Sequence, residues 1–104
     1  MSKLKILGAG AVLTSAVAQT GVEMDGSPFS RGFNAIATIN LTGATGTPTV
    51  LIEGSDDDTT YTTLMTVSAI TASMVKAEVT LQPYMRVRVS AVGTAGTVSA
   101  WLEA

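Results

Sequence analysis

The chain has 104 residues, with eight acidic against six basic side chains, 13% charged and 46% hydrophobic residues, and neither His nor Cys. That length holds one domain, and the missing His and Cys remove the side chains that most often serve general acid/base work, nucleophilic attack, zinc ligation and disulfide bonding. The acidic balance offers no positive field to a phosphate backbone, so neither enzymatic chemistry nor nucleic-acid binding is expected.

Thr is the commonest residue, followed by Ala and Val, while the helix builders Leu, Lys and Glu are sparse. Branching at Cβ suits a pleated surface better than a helix, so the composition predicts an all-β chain. Residues 1–19 resemble a secretory signal, with Lys3 and Lys5 ahead of the apolar run Ile6 to Leu13 and a small-x-small step at Ala16-Val17-Ala18. The run is short and diluted by Gly8 and Gly10, and it is too short and Gly-rich to span a bilayer, so no membrane partner is expected. The segment is expected instead to be an arm or first strand ahead of a single β-sandwich domain over 20–104. Its Leu4, Ile6 and Leu7 are candidate contacts with a neighbouring subunit.

Thr20 to Gly32 reads as a long loop, marked by Asp25-Gly26-Ser27-Pro28 and Arg31-Gly32. From Phe33 the pattern is two-fold, with Phe33, Ala35, Ala37, Ile39 and Leu41 on one face and Asn34, Thr38, Asn40 and Thr42 on the other. Thr42 to Pro48 is expected to break this strand, and Thr49 to Ser55 to return as the second arm of a hairpin. Gly54-Ser55-Asp56-Asp57-Asp58 is the sharpest turn signal, leading into an alternating run that ends at Ser68. Ala69 to Ser73 is a connection. Val75 to Leu81 is a clean strand stopped at Pro83. Met85, Val87, Val89 and Ala91 form one face of the next strand, and Val98, Ala100 and Leu102 one face of the last, across the turn Gly93-Thr94-Ala95-Gly96. Such short strands at close spacing predict an antiparallel β-sandwich or jelly-roll-like barrel of about 6–8 strands. The stretches Ile39 to Gly54 and Val87 to Ala104 look alike, either as an internal echo or through shared Thr/Val-rich composition.

Asp56, Asp57 and Asp58 are the one cluster of hard oxygen ligands, but adjacent carboxylates cannot all face one ion, and a solvated turn is the better reading. No serine has a His to activate it, no cofactor motif is present, and catalysis has no candidate. Tyr84, Arg86, Arg88 and Trp101 fall opposite the buried phase of their strands. If Arg86 stood across from Trp101, guanidinium would stack on indole, the composition of a binding hot spot or of a simple cross-strand pair. Phe29, Arg31 and Phe33 flank Gly32 in a loop able to enter a partner, with Phe33 better placed in the core by its strand phase.

The stretches VLIEGSDDDTTYTTLMTVSA and YMRVRVSAVGTAGTVSAWLEA resemble small virion proteins of tailed bacteriophages. The shared pattern is a strand ending in Gly-Ser, an Asp-rich turn, an aromatic and a Leu, then Tyr-x-Arg-Val-x-Val and a closing Gly-Thr-Val segment. Gly54, Ser55, Asp56, Tyr61, Leu64, Tyr84, Arg86, Val87, Val89, Gly96 and Val98 hold those places here. Asp57-Asp58 and Tyr61 stand where such patterns often have Asp-Gly and Trp, and the likeness covers the second half of the chain. The resemblance implies a head decoration, or cement, protein on the capsid surface of the virion. It would be a non-enzymatic homo-oligomer, with a trimer favoured, that binds the major capsid protein and reinforces capsomer joints. A tail or fibre component that touches host glycan and a secreted bacterial surface domain are the alternatives.

Overall fold

Period-two alternation becomes eight strands in the computed structural model, which describes residues 3–16, 18–24, 28–68 and 74–104. They are β1 (Leu4–Val12), β2 (Val22–Glu23), β3 (Asn34–Thr45), β4 (Thr49–Ser55), β5 (Thr62–Ser68), β6 (Met74–Thr80), β7 (Tyr84–Ala91) and β8 (Ala95–Glu103). There is no helix among the described residues. The connection expected at Ala69 to Ser73 and the Asp25-Gly26-Ser27 turn lie outside them.

The strands form two four-stranded sheets, β1-β8-β3-β6 and β2-β7-β4-β5. Antiparallel pairs β1–β8, β2–β7, β3–β6 and β4–β5 make one long hairpin whose tip is the Asp turn. Rolling that hairpin brings β3 against β8 and β4 against β7, which closes a jelly roll. The inward phase fills the space between the sheets: Ala35, Ala37, Ile39 and Leu41 of β3, Val50 and Ile52 of β4, Met85, Val87 and Val89 of β7, and Val98, Ala100 and Leu102 of β8 are all buried. Their removal from water is the main favourable term in a small domain without disulfides.

Two expected hairpins are corrected. β3 and β4 do not pair with each other, nor do β7 and β8; each connection crosses from one sheet to the other. A Gly-containing turn between two alternating runs looks the same in sequence whether the chain pairs with itself or arches over the core. β3 also runs on through Gly43 to Thr45, because Thr45 still pairs with Ala95 after a register shift. The two arches pack together: Thr94 N donates to Thr45 O at 2.9 Å. Gly96 has φ +109°, and a Cβ there would lie 2.6 Å from Ala44 Cα, so glycine is required at this crossing. The stretches that look alike in sequence thus occupy equivalent places. Advancing every strand number by four turns the order β1-β8-β3-β6 into β5-β4-β7-β2, the second sheet read from its other edge.

Candidate functional site

The outer face of the second sheet carries the charged cluster. Glu53 on β4 faces Arg86 on β7, and Arg86 Nε donates to Glu53 Oε1 at 2.8 Å. Arg88 Nη1 lies 3.8 Å from the other carboxylate oxygen, so two guanidinium groups hold one carboxylate that is only 4% exposed. Arg86 Cζ stands 3.7 Å from the centroid of the Tyr61 ring, and the Tyr61 hydroxyl donates to Asp58 Oδ1. Desolvation first, and then that hydrogen bond, push the Tyr61 phenol up to about 12.

The Asp turn positions this cluster. Asp57 Oδ1 accepts from Ser55 Oγ, Thr59 N and Thr60 N, each at 2.9 Å, and these hydrogen bonds, those from Thr60 and Thr59 foremost, hold its carboxyl below the usual value. Asp58 takes φ +59°, a conformation that Asp tolerates better than most residues. The three carboxylates have separate tasks. Asp56 meets Arg31 at 3.9 Å in the open, Asp57 ties the turn, and Asp58 receives Tyr61. Among the described residues no group of three or more His, Cys, Asp or Glu is placed to hold a metal ion.

Trp101 does not reach Arg86. It lies on the other sheet, where β8 places it beside Ile6 of β1 and Thr38 of β3, so the expected stacked pair is replaced by Arg86 on Tyr61. The crossover between β7 and β8 is the cause, since it sends the two strands to opposite sides of the core. Tyr84, Arg86 and Arg88 therefore share one face, and Trp101 belongs to another.

That second face, outside the first sheet, mixes exposed apolar side chains with charged ones. Leu4 is 61% and Ile6 54% exposed, and cross-strand pairing lines up Leu4, Glu103, Ile36 and Glu78 in one row and Ile6, Trp101, Thr38 and Lys76 in the next. Met74, also exposed, lies beyond them opposite Asn40. Lys76 Nζ and Glu103 Oε1, 3.9 Å apart, bridge the two rows. Thr38 is fully buried between Trp101 and Lys76, and its Oγ1 has no hydrogen-bond partner among the described residues.

Of the remaining candidates, Leu7 and Phe29 are core residues, Phe29 at 7% exposure. Phe33, expected inside, is 50% exposed, because β3 starts one residue later and Phe33 is held in a turn by bonds to Ser30 O and from Leu81 N. Sequence reasoning missed Ile36, Met74, Glu53 and Tyr61. Ile36 had a signal, being the apolar residue in the polar phase Asn34, Thr38, Asn40 of its strand.

The strand order and pairing of the described residues define an eight-stranded antiparallel jelly roll, with the Glu53–Arg86–Arg88 cluster outside one sheet and exposed Leu4, Ile6 and Ile36 outside the other. Among solved structures the chain is similar to the PBSX exported protein XepA, at 21% identity and a TM-score of 0.66 over 97% of this chain and 36% of that one. The chain therefore spans little more than a third of that protein's length, and the likeness shows the fold. No protein-family model and no curated protein matches the chain.

Proposed function

We propose that this chain is a structural protein of a tailed-bacteriophage particle, a decoration subunit that docks on the capsid through the outer face of the first sheet. The observation that carries the reading is the set of exposed apolar side chains Leu4, Ile6 and Ile36, which flank Glu103 and Trp101 of β8 on this face. Neighbouring exposed apolar groups on a small domain mark an interaction surface, and each one fully removed from water contributes on the order of 1–2 kcal/mol.

Two further points support it. The fold neighbour XepA is an exported protein of PBSX, and the virion-like pattern falls on coherent structure, with Gly54-Ser55-Asp56 at the tip of the roll and Tyr84-x-Arg86-Val87 in β7. A decoration subunit acts by copy number. Many copies, associated as homo-oligomers and seated on capsomers, oppose the outward pressure of packaged DNA through buried interface rather than chemistry. The test is survival of heads under heat or chelator, with and without the protein. Retained DNA in decorated heads is expected, and equal survival contradicts the proposal.

A further inference from the structure

Beside the Asp turn lies a cleft of about 310 Å³, at the lower end of the size of small-molecule sites, lined in part by Gly54, Asp56, Thr60, Thr62, Leu64 and Gln82. Its shape is built in. A Cβ at Gly54 would lie 2.6 Å from Gln82 Cγ and 3.0 Å from Leu64 Cδ1, so both side chains lie across bare backbone there. The adjoining wall is fixed by Asp57, whose carboxylate is already engaged by Ser55 Oγ and the Thr59 and Thr60 amides.

The other polar groups have capacity to spare. Among the described residues the Gln82 carboxamide and the Thr60 and Thr62 hydroxyls make no hydrogen bond, and Asp56 meets only Arg31. The cleft thus offers donors and acceptors together, with Leu64 as an apolar patch and no cationic side chain in its lining. Two carboxylates disfavour an anion, and no metal-holding group exists among the described residues. A ring that carries vicinal hydroxyls and one C–H face satisfies both kinds of wall: hydroxyls donate to Asp56, accept from Gln82 and exchange with Thr60 and Thr62, while the C–H face meets Leu64.

We propose that this cleft binds a neutral pyranose unit of a glycan. The site lies beside the Asp turn and shares no residue with the proposed docking surface on the first sheet, so the two are tested separately. The test is an amide-resolved NMR titration of the full chain with methyl glucoside, methyl galactoside, methyl mannoside and methyl N-acetylglucosaminide, with N-acetyl-lysine methylamide as a cationic probe. Saturable shifts at Gly54, Thr60, Thr62, Leu64 and Gln82 with a glycoside are expected. Gln82→Ala and Thr62→Val should each weaken that glycoside about tenfold while leaving the remaining spectrum unchanged. No saturable shift with any glycoside overturns the proposal. So does a response to the lysine probe alone, which would assign the cleft to a basic side chain of a partner.

Discussion

Glu53 and Arg86 form a part-buried cross-strand ion pair between β4 and β7, joined at 2.8 Å, with Arg88 as a second cation 3.8 Å from the same carboxylate. Removing Arg86 leaves the buried Glu53 carboxylate with only the partly exposed Arg88 beside it, where the loss is a few kcal/mol. Arg86→Leu should therefore cost about 3 kcal/mol in urea unfolding, with an unchanged slope. Adding Glu53→Leu should restore much of that loss, because the pair is replaced by apolar packing.

Tyr61 gives the fold an alkaline limit. Its folded value is raised to about 12 from 10.0, so the unfolded chain loses this proton first. The contribution is fully present below pH 10 and disappears as pH rises through about 12. Stability of the wild type relative to Tyr61→Phe should fall across that window. The difference absorbance titration of the two proteins should place the Tyr61 phenolate near its upper end.

Thr38 is a buried hydroxyl without a hydrogen-bond partner among the described residues. Thr38→Val keeps the shape and removes the unsatisfied group, so it should stabilise by about 1 kcal/mol and raise Tm by about 4 °C. Calorimetry checks this directly.

The crossing of the two arches is equally specific. Gly96→Ala combines a positive φ with a Cβ driven into the Ala44 backbone, and a loss of about 2 kcal/mol or more in denaturant unfolding is expected.

Much of this was legible in the chain. Alternation in β3, β4, β7 and β8 identified the all-β class and most of the core, and the Asp turn was recognised from its side-chain chemistry. What local pattern does not carry is which strand lies beside which. The arches between β3 and β4 and between β7 and β8 look like hairpins because the same residues permit both, and the choice is made by packing across the core. The crossing between β7 and β8 separates Trp101 from Arg86, which stacks on Tyr61 instead. Phe29 and Phe33 were exchanged for a related reason: the strand phase begins at Asn34, one residue beyond where hydrophobicity alone placed it.

Docking through the first sheet's outer face is tested most directly by co-sedimentation of purified heads with the wild type and with Ile6→Lys/Ile36→Lys. Both positions are exposed in the isolated fold and Ile36 stands between Glu103 and Glu78, so the double variant should keep its stability to within about 0.5 kcal/mol per site. Saturable binding of the wild type and loss of binding by the equally stable variant are expected. Binding of the variant as tightly as the wild type, or no binding by either, would contradict the assignment.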